Sequence, residues 1–328
     1  MSGEQTTTTA SSKPIRLRIP GLVDLVLVSD PQQIQWLNQH ADVTRPLDPG
    51  ASLLHRFIDA RLSSDMGFHG SLLPVFLPRS DAARAERQKK LDLQFEDARG
   101  LPGEERDEIA GYVSGEKDAE EIGVSVQQWC GRLFFAQYRA TKDSYEAGRL
   151  IANWPSAPPW RTFVDRASGR LSRAKELLSS AAQGDLHCVH ATSIGMENIA
   201  RTVRKLRRAA QDRDKRKTAP DDMLRECLTA PPAVLRGCTR EIDVPFLDRP
   251  LTKRSILVFL VARAFETSGD FDVAFLSDGW SGCPAHRVIP EMLRAVWYEA
   301  HQEEQGADGK RILSTLNTWS RLWHRAVS

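Results

Sequence analysis

Apolar and polar residues alternate in PIRLRI (14–19) and again in DLVLVS (24–29), the period-two pattern of half-buried strands, and the intervening PGLV turns the chain between them. A β-hairpin is predicted there. Asp30-Pro31 then supplies an N-cap followed by proline at the first helical position, so IQWLNQH should continue as a short helix. Apolar residues fall at helical spacing over 51–64, with Gly67 and Gly70 ending the run, and the charged stretch from Ser80 to about Arg99 is again helical. Residues 124–154 predict one or two buried helices, closed by the proline-rich PSAPPW. Two more are expected over 161–182 and 186–210, parted at Gln183-Gly184, followed by the short helix MLRECLT. After Pro231-Pro232 the pattern turns to strands: VLRGCTREIDVP and RPLTKRSILVFLVARAF. PEMLRAVWYEAHQEE closes as a helix.

The pattern therefore predicts a mainly α fold with small β-sheets contributed by both ends of the chain. One domain over 14–328 is expected, behind a polar Thr/Ser tail over 1–13. At 328 residues and 41% hydrophobic content the chain can bury a large core. Its 45 basic and 43 acidic groups nearly cancel, so overall charge does not call for nucleic acid. The densest cluster, RTVRKLRRAAQDRDKRK over 201–217, lacks interleaved aromatics for base stacking and is expected to be a solvated helix face. Nothing apolar is long enough to span a bilayer. Five widely spaced cysteines without a C-x-x-C pair indicate neither a zinc ribbon nor a disulfide framework. A reducing, cytoplasmic setting is expected.

One cysteine stands apart. In LSDGWSGCPAHR (276–287), Cys283 lies among glycines just before a helix, where a metal-bound thiolate would receive backbone N–H donors and a helix N-terminus. Gly279 and Gly282 would let the backbone curl close to the sulfur. In HCVH, by contrast, His187 and His190 have no further ligand at metal spacing and are expected to be core or helix-start residues.

The order of the last hundred residues resembles the C-terminal part of a cytochrome P450: a short helix with Glu226, then Pro231-Pro232, Arg236, a β-hairpin, and a glycine-flanked cysteine before a helix. The family's F-x-x-G-x-x-x-C-x-G loop is matched by Gly279 and Cys283, with Leu276 in place of phenylalanine and Ala285 in place of glycine. The resemblance implies a shortened P450-like fold. It also implies haem b with Cys283 as its axial iron ligand, and Arg236 and Trp280 against the haem. Arg87 keeps the arginine of the family's His-x-x-x-Arg propionate pattern, while Ala83 replaces the histidine. Thr229 stands where E-x-x-R would place an arginine after Glu226. In IGMENIARTV, Glu197 and Asn198 fall at the family's oxygen-handling positions, with asparagine for threonine. The implied function is a monooxygenase on a hydrophobic small molecule, served by a ferredoxin or reductase. The asparagine also resembles family members that rearrange hydroperoxides and need no electron donor. The lost arginine and histidine fit a third reading, a P450-shaped binding protein without catalysis.

Overall fold

The computed structural model describes residues 13–20, 23–45, 47–68, 70–97, 103–117, 122–154 and 157–301. The predicted hairpin forms. Strand β1 (Ile15–Ile19) pairs antiparallel with β2 (Val23–Val28), Ile15 opposite Leu27. The other edge of β2 runs parallel to β7 (Ser255–Phe259), with Asp24 opposite Ser255 and Val28 opposite Phe259. Strands β6 (Val234–Cys238) and β3 (Val43–Thr44) complete a five-stranded sheet in the order β1-β2-β7-β6-β3. Both ends of the chain thus build one sheet, as the pattern predicts. A two-stranded sheet, β4 (Gly67–Phe68) with β5 (Ser71–Leu72), stands apart.

Helix α1 (Pro31–Gln39) begins as its sequence requires: Asp30 accepts the Gln33 backbone N–H at 3.1 Å and Pro31 occupies the first turn. It buries Ile34, Leu37 and Asn38. Helices α2 (Leu53–Met66) and α3 (Ala82–Asp97) follow at the expected places. Helix α4 (Gly103–Ser114) was not legible in the apolar pattern. It packs with α5 (Ile122–Arg132), α10 (Met196–Ala210) and α14 (Val288–Ala300), and this helical group carries much of the larger core. A second core joins the end of α2, the small sheet, α6 (Lys142–Asn153), α8 (Arg170–Ala181) and α9 (Leu186–His190).

Three expectations need correction. The stretch 161–182 is two helices, α7 (Pro159–Ala167) and α8, because Gly169 adopts φ +67°, a left-handed conformation that breaks a right-handed helix. VARAF is not strand: the apolar run leaves β7 at Phe259 and becomes α12 (Val261–Ser268), followed by α13 (Phe271–Phe275). Thr229 is not in the helix of Glu226, since α11 (Pro220–Cys227) has already ended. Of the predicted Thr/Ser tail over 1–13, residues 1–12 lie outside the described residues.

Helices α9 and α10 form one long rod interrupted by a π-type turn at Ala191–Gly195. Such a turn leaves carbonyls without their usual helical donors. Gln127, fully buried on α5, donates its amide to the Thr192 carbonyl at 2.8 Å and to the Ser144 carbonyl at 2.9 Å. Gly148 on α6 lets that helix press against the same carbonyl, where a Cβ would come within 2.6 Å of the Thr192 oxygen.

Candidate functional site

The loop between α13 and α14 is a series of tight turns. Leu276 closes α13 at φ +50°, Gly282 donates to the Gly279 carbonyl at 2.9 Å, and Cys283 donates to the Phe275 carbonyl at 3.0 Å. The Ala285 N–H points to the Cys283 sulfur. Cys283 keeps part of its surface accessible, yet the surrounding protein pushes its thiol up to about 11, burial outweighing the Ala285 donor. Only a cation close to the sulfur would make it a thiolate at neutral pH. The other four cysteines are buried.

Gly279 has a different purpose from the one expected. Its open side faces Asn38 of α1: a Cβ there would fall 1.7 Å from Asn38 Nδ2. Asn38 is the bracket that holds the loop. Its Oδ1 accepts the Ser281 hydroxyl at 3.2 Å and an Arg236 guanidinium nitrogen at 3.3 Å, and its amide faces the Leu276 carbonyl at 3.5 Å. Gly279→Ala should therefore displace α1 or the loop and destabilise the fold by about 2 kcal/mol. Asn38→Ala removes the clashing amide, so the double variant should be less destabilised than the two single costs added together. Urea denaturation of the four proteins measures that coupling; strict additivity would place the Gly279 constraint elsewhere.

Arg236, on β6, is 0% exposed. Besides Asn38 it donates to the Ser281 hydroxyl and its neighbour Leu235's carbonyl, all neutral acceptors, and its Nε is buried without a hydrogen-bond partner. Its guanidinium carbon lies 5.7 Å from the centre of the Trp280 ring and 5.6 Å from that of Phe259. Arg84, on α3, reaches the same indole from another side: 4.4 Å to the ring centre, with hydrogen bonds to the Trp280 carbonyl at 3.1 Å and the Pro74 carbonyl at 3.1 Å. Trp280 Nε1 is itself buried and unpartnered. Burial, then Arg45 and Arg84, lowers the Arg236 pKa; burial, then Arg84, lowers Arg45 to about 9. Three guanidiniums crowd one place. Such a donor set beside the Cys283 loop would fit a dianionic group such as the two carboxylates of a haem.

Arg87, the arginine singled out from the sequence, is engaged elsewhere: it pairs with Asp185, tying α3 to the start of α9. Arg84, one turn earlier, stands over Trp280. Nothing in the sequence distinguishes the two, because they share one charged helix face and differ only in what faces them. Glu197 is buried on α10 and its carboxylate takes Arg201 at 2.9 Å and Arg149 of α6 at 3.9 Å. Asn198 follows half-buried, its carbonyl accepting the Thr202 hydroxyl at 3.0 Å. Glu226 pairs with Lys215 at the surface.

His187 and His190 form no metal cluster with other His, Cys, Asp or Glu among the described residues. Both are held neutral. Burial first, then Arg87 and Arg84 against the opposing pull of Asp185, lowers His187 to about 4; burial first, then His187 and Arg45, lowers His190 to about 4. Below the unfolded value near 6.5 the unfolded chain binds protons that the folded chain refuses, so stability present above pH 6.5 is lost as the pH falls toward 4. The expected loss is on the order of 2 kcal/mol for each imidazole. Urea midpoints between pH 7 and 4 measure it, and His187→Gln with His190→Gln should flatten the slope.

This framework is the cytochrome P450 fold in shortened form. Among similar solved structures are a six-coordinated cytochrome P450 from Thermus thermophilus (18% identity over 88% of this chain and 86% of that one, TM-score 0.51) and the testosterone-bound CYP154C4 from a Streptomyces species (16%, 89% and 85%, 0.54). Cytochrome P450SP alpha in complex with (R)-ibuprofen is another (10%, 88% and 84%, 0.55). No protein-family model matches the sequence, and no curated protein does. No helix among the described residues is long and apolar enough to cross a membrane.

Proposed function

We propose that the chain is a haem-thiolate oxidoreductase of the monooxygenase type, acting on a hydrophobic organic substrate. The observation that carries this reading is the convergence of Arg84 and Arg236 on Trp280, three residues before Cys283. Two buried guanidiniums whose hydrogen bonds go only to neutral acceptors are costly unless an anion completes them. A haem supplies two carboxylates for the arginines and an iron for the sulfur at once. When bound it supplies the redox chemistry; the protein holds and orients it.

Cys283 would hold the iron through its sulfur, giving up the thiol proton to solvent, and the Ala285 N–H would stabilise the resulting charge. Arg84 and Arg236 would hold the carboxylates, and the buried Trp280 N–H would be a further donor beside them. Asn38 and Ser281 keep Arg236 aimed, so a side chain from the start of the chain positions the cofactor held near its end. Glu197 acts through Arg201 and Arg149 in fixing α10 against α6, which leaves Asn198 as the polar side chain available next to the π-type turn. A ferredoxin or reductase would deliver the electrons. The test is titration of the purified chain with haemin: one equivalent should bind, and the reduced protein under carbon monoxide should show the strongly red-shifted band of a thiolate ligand. A chain that takes up no haem would leave the non-catalytic scaffold as the reading.

A further inference from the structure

Large apolar side chains with more than a third of their surface exposed are unevenly distributed. Among the described residues three, Ile15, Leu17 and Ile19, line the edge strand β1, Leu93 stands on α3, and the others lie on α2, α7 and α8. On α7, Phe163 is 72% exposed and Trp160 70%, joined by Val164 at 54%. Leu53 and Phe57 make a second pair, one turn apart on α2. Lys175 of α8 donates to the Ser64 and Gly67 carbonyls at the end of α2, and α7 packs on α8, so α8 links the two apolar pairs.

Charge on α7 is sorted as sharply as polarity. Its single acid, Asp165, is turned inward to 4% exposure, where Arg170 of α8 donates to it at 3.3 Å and Arg161 lies 4.0 Å away. What α7 presents outward is therefore Trp160, Phe163, Val164 and the arginines 161 and 166, all exposed. The next helix continues the pattern with exposed Arg170, Arg173 and Leu177 on one face. Glu176 is the exposed acid there, and among the described side chains of α2 Asp59 is the partly exposed one. Cations flanking a Trp/Phe surface match the chemistry of a lipid–water interface, with rings at the headgroup level and guanidiniums on anionic phosphates. A protein partner would want the arginines paired by shaped acids; a lipid surface needs only sign and depth.

We propose that the α7–α8 hairpin is a peripheral docking surface for an anionic membrane, with Trp160 and Phe163 inserting and Arg166 and Arg173 engaging lipid phosphates. This stands on surface residues alone and does not depend on haem. The experiment is co-sedimentation of the full chain with vesicles of phosphatidylcholine containing a third phosphatidylglycerol, beside pure phosphatidylcholine. Binding is expected to the anionic vesicles, to weaken at least tenfold on the neutral ones, and to fall in high salt. Trp160→Ser with Phe163→Ser should lower it at least tenfold while the urea midpoint stays within error, because both side chains are already in solvent. Arg166→Gln and Arg173→Gln should each lower it about fivefold. No binding to anionic vesicles would overturn the proposal, as would equal binding to both lipids. So would a wild-type dimer that the Trp160/Phe163 variant converts to monomer, which would make the face a protein interface.

Discussion

Cys283→Ser should abolish the red-shifted reduced–carbon monoxide band while leaving the apoprotein folded. The side chain is half-buried and its backbone bonds, to Phe275 and from His286, do not involve the sulfur. A serine hydroxyl is smaller, holds its proton far more tightly than a thiol and is a hard, weak ligand for haem iron, so the axial bond is lost although the arginines remain. Haem affinity should fall by tenfold or more and not to zero. A variant that keeps the red-shifted band would move the ligand to another residue, and one that binds haem as tightly as wild type would leave Cys283 a structural residue of a tight loop.

The second large effect depends on whether haem is bound. Arg236→Met replaces a fully buried cation, crowded by Arg45 and Arg84, with an apolar chain of similar length. Without haem the loss of hydrogen bonds to Asn38 and Ser281 is offset by the removed desolvation and repulsion, and stability should change by no more than about 1 kcal/mol, in either direction. With haem the same substitution leaves a carboxylate without its partner, and affinity should fall about thirtyfold or more. Denaturant midpoints with and without haemin separate the two: wild type should gain stability from haem by mass action and the variant much less. Equal destabilisation of both states would make Arg236 a structural arginine.

The sequence singles out these two residues for different reasons. Cys283 draws notice because glycines and a proline surround it just before a helix in the order of the resemblance, and Arg236 because it follows a double proline at the distance the resemblance requires. Asn38 was not legible, because its importance lies in what packs on it from 240 residues away. Arg84 was hidden by Arg87, since helical periodicity fixes a face but not which member of that face meets a partner. In the fold, the hairpin and the Asp30 cap were clear because their signals are local. Helix α12 was misread because the apolar run through β7 continues into it without a break, and short apolar runs do not declare their period. Gly169 did carry a signal: a glycine after serine in mid-helix is a common stop, and its positive φ confirms that use.

The parallel pairing of β2 with β7 has a consequence for synthesis. Asp24–Val28 leaves the ribosome long before its partner Ser255–Phe259 has been made. At roughly 5–20 residues per second the interval lasts on the order of ten seconds or more. Throughout it the free edge of a Val/Leu-rich strand is open to mispairing. Asp24, which ends up buried with its carboxylate taken by Arg16 and Ser255, puts a charge at the start of that edge. Arg16 on β1 can meet that carboxylate as soon as the hairpin forms, and the Ser255 hydroxyl completes its hydrogen bonds only when the correct strand arrives.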